Sequence, residues 1–313
     1  MSAVPQPLVA VDGVVKDYGA LRAVDRVSFT LDAGKVVAVL GPNGSGKTSL
    51  FRMLVGFNRP DHGAIRYVAA DGRTHDVAPP AELGYMPEER GLYPDAKVAD
   101  VIAYFGQLRG AAEEAAHVRA TVLLKELDIA QHAGKRVKEL SKGNQQKVQL
   151  ATCLVNDPRL VVLDEPFSGL DPLNQESLLD YLGEVARRGT GIVLSAHHLQ
   201  LVERLADSAL ILSRGAVVAE HHGRSPQRAS QRIAIELADG EGSRDAGLAL
   251  ERAGAAKTGE RTYEFTGDID AQAAETIAAL VRSRALAALR TGEPSLRDTF
   301  FSALDGVRKE SVQ

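Results

Sequence analysis

The sequence predicts an α/β fold in which a parallel sheet lies between layers of helices, followed by a small α+β module. Three observations lead there. Val36-Val37-Ala38-Val39-Leu40, Leu160 to Leu163 and Ile192 to Ser195 are continuous apolar runs of strand length, the pattern of a sheet covered on both faces. Between the first run and the helix-like Ser49-Leu50-Phe51-Arg52-Met53-Leu54 stands GPNGSGKT, Gly41 to Thr48, which fits G-x-x-x-x-G-K-[ST] in the strand, loop and helix order that a phosphate cradle requires. From Asp95 to about Gln149 the pattern turns helical, with Val122, Leu123, Leu127 and Ile129 as an apolar stripe, so a separate helical lobe is expected.

Ahead of the loop, residues 8 to 15 and 28 to 31 flank the turn-like Asp17-Tyr18-Gly19 and read as antiparallel strands. After the last apolar run, Ala209 to Leu212 and Ala216 to Val218 pair through Ser213-Arg214-Gly215 as a hairpin. The polar, breaker-rich stretch from His222 to Arg228 marks a boundary, giving domains of 1–222 and 223–313. The second is expected to contain alternating strands at Ile233, Ile235, Leu237 and at Tyr263, Phe265. A helix with Ile277, Leu280 and Val281 on one side follows, then a last helix starting near Pro294-Ser295. Ser295 and Asp298 have capping-box spacing, and Leu296, Phe300 and Leu304 share a face. No catalytic constellation is visible in this module.

At 313 residues the chain has room for about two domains. A charged fraction of 25% with a net charge of −4 gives no overall basic field for nucleic acid. The single cysteine, Cys153, excludes an internal disulfide framework, suits a reducing compartment and reads as a small buried residue. No apolar run approaches the roughly 18 to 20 residues of a membrane span, and MSAVPQPLVA lacks a secretory pattern, so a cytoplasmic location is expected and any membrane role needs another chain.

The chemistry concentrates at two strand ends. Glycines and small residues let backbone N–H groups close around phosphates, and Lys47 adds a compact cation. That loop alone leaves GTPases, kinases and ATPases open. Leu160-Val161-Val162-Leu163 then delivers Asp164 and Glu165 at the carboxyl end of a buried strand, where ligands of open α/β sheets collect. Asp164 with the Thr48 hydroxyl can hold Mg²⁺, and Glu165 can accept a proton from attacking water. A solvated acidic turn is the plain alternative, and the buried strand before it argues against that.

With LSKGNQQKV at Leu140 to Val148, FSGLD at Phe167 to Asp171 and Ser195-Ala196-His197 added, five motifs stand in one order, and residues 8 to 222 resemble the nucleotide-binding subunit of ATP-binding cassette (ABC) transporters. The resemblance implies a phosphate-loop NTPase cassette with a mixed core sheet, a helical subdomain at about 95–149 and an antiparallel β subdomain. It implies ATP with Mg²⁺ as cofactors and head-to-tail pairing of two copies, a homodimer being expected. Phosphates would be held by Gly41, Pro42, Asn43, Gly44, Ser45, Gly46, Lys47, Thr48 and Ser49, with Tyr18 stacked on adenine. Ser141 and Gly143 of the other copy would cap the nucleotide, Asp171 would couple the halves, and His197 would contact the γ-phosphate. His198, His221 and His222 have no such support and read as surface residues.

Two departures stand out. Where most such subunits carry a glutamine near Mg²⁺, this chain has Glu88; a further negative charge about 5 Å from phosphate costs about 3 kcal/mol at an effective dielectric of 20 unless a cation screens it. Glu88 is therefore either a metal ligand or turned away. The signature has Lys142 and Asn144 in place of glycine and glutamine. The wording from Glu88 to Tyr93, LSKGNQQKV and the tail from Pro294 to Phe300 resemble prokaryotic exporter ATPases of the sodium-efflux and drug-resistance type, with a carboxy-terminal accessory domain. These sit at the cytoplasmic side of the cell membrane beside a separate permease. The alternative is a non-transport ABC ATPase acting on nucleic acid, ribosomes or iron–sulfur assembly. Chromosome-maintenance members have a long coiled coil between the two phosphate motifs, translation-factor members have two cassettes, and iron–sulfur members lack this tail.

Overall fold

The computed structural model describes residues 6–223, 232–240, 243–266, 270–291 and 295–310. The described chain forms two compact units. The first begins with β1 (Val9–Tyr18) and β2 (Leu21–Leu31), then β3 (Val36–Leu40), α1 (Lys47–Leu54), β4 (His62–Val68), β5 (Thr74–His75) and β6 (Leu83–Met86). A helical stretch follows, α2 (Val98–Leu108), α3 (Glu113–Glu126) and α4 (Lys142–Leu154), and then β7 (Leu160–Leu163), α5 (Pro172–Arg187), β8 (Gly191–Ser195), α6 (Leu199–Leu205), β9 (Ser208–Ser213) and β10 (Ala216–His222).

The core sheet runs β10-β9-β3-β8-β7-β6, parallel throughout except for the β9–β10 hairpin. Its inner strands β3, β7 and β8 are buried on both faces because both faces are covered. Ala38, Leu40, Val161, Leu163, Ile192 and Leu194 enter one core with the helices α2 to α6, while Val37, Val39, Leu160, Val162 and Val193 enter another with α1 and the antiparallel sheet β2-β1-β4-β5. The period-2 alternation of a strand sends neighbouring side chains into opposite layers. All the parallel strands then release their loops at one edge. Within the helical lobe Leu123, Leu127 and Ile129 are buried as expected, but Val122 is 38% exposed, since the helix turns it away from the α2 and α4 side.

The second unit contains β11 (Arg232–Leu237), α7 (Ser243–Arg252), β12 (Ala256–Lys257), β13 (Thr262–Thr266), α8 (Ala271–Arg282) and β14 (Leu286–Thr291). Its sheet is antiparallel in the order β12-β13-β11-β14, and Ile235, Leu237, Tyr263 and Phe265 pack with Leu250 and Leu280 of the two helices. Val281, expected on the packed side, is exposed.

The expected C-terminal domain of 223–313 is corrected at its end. Helix α9 (Leu296–Glu310) belongs to the first unit, where fully buried Leu296 joins the large core and Phe300 and Ala303 pack beside it. Glu203 of α6 accepts a hydrogen bond from the Leu296 backbone N–H at 3.0 Å, satisfying a donor at the helix start. The apolar face read for this helix is real, but its partner lies some 90 residues earlier in the chain. Pro294 and the stretch from Arg224 to Arg228 lie outside the described residues.

Candidate active site

Four loops meet at the carboxyl edge of the core sheet. Gly41 follows β3, Glu88 follows β6, Asp164 and Glu165 follow β7, and His197 follows β8. The phosphate loop bends into α1 through Gly46, whose φ of 104° and close approach to the Ala23 carbonyl leave no room for a side chain. No side chain caps this helix, so its first N–H groups remain available to an anion. Pro42, Asn43 and Gly44 are exposed, Gly46, Thr48 and Ser49 half-buried, and Gly41, Ser45 and Lys47 buried. Lys47 donates to the carbonyls of Gly41 at 2.8 Å and Pro42 at 3.2 Å. The Ser45 hydroxyl is buried without any hydrogen-bond partner, an orphan polar atom that a phosphate oxygen would satisfy.

Thr48 Oγ1 donates to Asp164 Oδ2 at 3.0 Å, so hydroxyl and carboxylate already share one point in space. Ser195, fully buried at the end of β8, donates to Asp164 Oδ1 at 2.6 Å and accepts from the Glu165 backbone N–H at 2.9 Å. Glu165 sits at φ 55°, a left-handed conformation unusual for a side-chain-bearing residue and of a kind that costs of order 1–3 kcal/mol. Two anchors hold it there: the Ser195 hydroxyl, and Gln146 of α4, whose amide donates to the carbonyls of Glu165 at 3.1 Å and Pro166 at 3.2 Å.

The Glu165 carboxyl is buried, and burial raises its pKa against the opposing pull of His197 and Lys47. Its Oε1 accepts no hydrogen bond, yet lies 3.3 Å from His197 Nε2, close enough for charge attraction without good hydrogen-bond geometry. A raised carboxyl with a free oxygen suits a proton acceptor. Lys47 is pulled the other way: burial lowers its pKa, while Glu165, Asp164 and Glu88 favour the ammonium. Glu88 is exposed, and its charge reaches Lys47. The donor set of Thr48, Asp164 and Glu88 is all oxygen, which fits Mg²⁺.

The remaining expected residues are more dispersed. Tyr18, 44% exposed at the end of β1, has its hydroxyl held by Asn58 Nδ2 at 2.7 Å, and the Lys16 ammonium lies 5.7 Å from the ring centre. Ser141 caps α4 by accepting from Asn144 N at 3.3 Å, and Gly143 lies against the Gly169 carbonyl and Leu170. Asp171 caps α5, accepting from Asn174 N at 3.0 Å and Asn174 Nδ2 at 2.6 Å; these bonds lower its pKa. Among the described contacts none joins Ser141, Gly143 or Asp171 to Lys47 within one chain. Cys153 is buried, with its thiol pushed up to about 12, and among the described residues no His, Cys, Asp and Glu group forms a metal cluster. Ser195 and Gln146 support the site although no motif assigns them that role. A serine as the last residue of the apolar run Ile192 to Ser195 is the available signal.

A family model described as ABC transporter matches residues 24–168. An ABC transporter ATP-binding protein of Methanocaldococcus jannaschii, itself uncharacterised, is 39% identical over 234 residues, 75% of this chain and 84% of that protein. The Nod factor export ATP-binding protein I of Burkholderia lata is 34% identical over 216 residues, 68% of this chain and 71% of that protein. A solved ATP-binding subunit of an ABC transporter superposes with a TM-score of 0.61 at 32% identity, covering 69% of this chain and 90% of that one. With a phosphate loop after β3, an acid pair at the end of β7 and this breadth of likeness, the chain is an ATP-binding ATPase subunit belonging to the ABC transporter family.

Proposed function

We propose that this chain drives an exporter: it hydrolyses ATP between two copies of itself, on the cytoplasmic face of the cell membrane, and passes the resulting closure to a separate membrane-spanning permease. No helix among the described residues is long and apolar enough to cross a membrane, so the span would come from another chain. The observation that carries the reading is the convergence of Lys47, the Thr48–Asp164 pair and the partly unsatisfied Glu165 carboxyl at one sheet edge.

In this reading the loop from Gly41 to Ser49 cradles the phosphates and Tyr18 stacks on adenine. Ser141 and Gly143 of the second copy close over the γ-phosphate, with Asp171 at the junction. Glu165 takes the proton from water, and His197, beside it, orients that carboxylate and contacts the phosphate. Mg²⁺, when bound, neutralises phosphate charge and orients its oxygens. Thr48, Asp164 and Glu88 are the side chains that would hold it.

Export as the direction is supported by the name of the Nod factor relative and by the wording from Glu88 to Tyr93. The sodium-efflux and drug-resistance subgroup, with 224–295 as its accessory domain, is the narrower form of the same proposal. Contact with the permease through the helical lobe is supported by an exposed aromatic patch: Tyr93 and Tyr104 are 50% and 43% exposed, with ring centres 5.6 Å apart. Exposed apolar patches of this kind mark interaction sites.

The test is oligomeric state under ATP. Purified Glu165→Gln protein should trap ATP and elute as a dimer, while Lys47→Ala protein should bind no nucleotide and stay monomeric. Elution that ignores ATP in both variants overturns the two-copy clamp. Replacing Tyr93 and Tyr104 by Glu should abolish co-purification of a membrane protein from detergent-solubilised membranes while leaving nucleotide binding intact.

A further inference from the structure

The loop that presents Glu88 has no regular secondary structure, and Pro87 at its start has no N–H with which to anchor it. Its fixation comes through carbonyls. Gln149 of α4, only 3% exposed, donates from one amide nitrogen to the Pro87 carbonyl at 3.0 Å and to the Glu89 carbonyl at 3.3 Å, so it brackets Glu88 on both sides. A primary amide suits this task because one nitrogen carries two N–H donors in a fixed plane. The other end of the same side chain, Oε1, is buried and accepts nothing. Such an atom costs free energy, and the two bonds made by the nitrogen are what the position gains in return.

One turn earlier on the same helix, Gln146 makes the equivalent bracket on the carbonyls of Glu165 and Pro166. Residues three apart share a helix face. Below them β6 and β7 are paired, and Asp164 N donates to Met86 O at 2.8 Å. A single face of α4, the helix that begins at Ser141, therefore grips the two backbone segments that carry Glu88 and Glu165.

We infer that Gln149 is a positioning residue of this ATPase: it aims the Glu88 carboxylate toward Lys47 and the metal position beside Asp164, and through α4 it ties the placement of Glu88 to that of Glu165. The inference rests on the reading of Glu88 as a metal-side carboxylate. Gln149 touches neither nucleotide nor metal in this scheme; it acts through the loop.

Two near-isosteric variants of the full-length protein test it. Gln149→Met removes both donors, and Gln149→Glu turns an acceptor toward the two carbonyls. Loop order is read by the rate of tryptic cleavage after Arg90, an exposed residue two positions beyond Glu88. Metal placement is read by the Mg²⁺ concentration for half-maximal ATP hydrolysis, and binding without metal by fluorescent ADP analogue titration in EDTA. Both variants should be cleaved after Arg90 at least threefold faster and need at least threefold more Mg²⁺. Their kcat at saturating Mg²⁺ should fall by a smaller factor, and ADP affinity in EDTA should hold. Glu88→Ala should raise the Mg²⁺ requirement without accelerating cleavage, and adding Gln149→Met to it should raise that requirement no further. Wild-type cleavage and Mg²⁺ dependence in a folded Gln149 variant overturn the inference. An unchanged Mg²⁺ dependence in Glu88→Ala removes Glu88 from the metal; the positioning role then falls too, even where cleavage after Arg90 is faster.

Discussion

The two units each contain a sheet and packed helices, yet among the described residues only the first gathers reactive groups. In the first, five parallel strands lie side by side, so the loops after β3, β6, β7 and β8 leave at the same edge and bring Lys47, Glu88, Asp164, Glu165 and His197 together. In the second, neighbouring strands alternate in direction, so adjacent strands release their loops at opposite ends, and the helices α7 and α8 cover the face holding Ile235 and Tyr263, while Ala234 and Glu236 on the reverse are exposed. Strand direction, more than composition, decides whether polar side chains accumulate at one place.

The strongest way to break this comparison is at the edge itself. Glu165→Gln should lower kcat by about 10²–10⁴-fold, the usual range for a lost general base; a single-turnover assay that finds wild-type hydrolysis would leave the edge without its function. Next comes the second unit. Leu250 is fully buried there, and Leu250→Ala should destabilise that unit by about 2–5 kcal/mol, visible as lost hydrogen-exchange protection across α7 and β13. ATP hydrolysis by the isolated protein should stay within about twofold of wild type, since all the groups proposed for that chemistry lie elsewhere; a larger fall would end the separation of roles.

Ser195→Ala sharpens the picture from inside the edge. It removes the hydroxyl that bridges Asp164 and the Glu165 backbone, and leaving those buried groups without their partner costs about 1–3 kcal/mol, read as a lower unfolding midpoint together with slower hydrolysis. The smallest effect is in pH. Because burial raises the Glu165 pKa, the acid limb of kcat/KM should lie above the ordinary glutamate value of about 4.3. A base must be deprotonated, so activity is lost as pH falls through that raised value. His197→Ala removes a charge that opposes the shift and should move the limb to still higher pH; a limb at the ordinary value in both proteins would contradict the burial argument.

Much of the edge is legible from local pattern. Val36 to Leu40 and Leu160 to Leu163 announce buried parallel strands by themselves, and glycine spacing or an acid pair at a strand end needs no tertiary information. Ser195, Gln146 and Gln149 were not legible as supports, because what they hold depends on α4 lying against β6 and on β7 and β8 being neighbours, facts that no window of sequence contains. Val122 and Val281 failed for a related reason: helical spacing marks an apolar position but not how wide a stripe its neighbours can cover. The apolar face of α9 was visible in Leu296 and Phe300; its partner, reached across the whole second unit, was not.

That return of α9 changes how the protein can be cut. The second unit is a parenthesis in the chain, opened after Gly223 and closed at Leu296, so stopping translation at Gly223 would uncover the apolar seat of Leu296 and invite aggregation. Excising the parenthesis and splicing a short linker in its place keeps the seat filled, and that is the shortened form worth making.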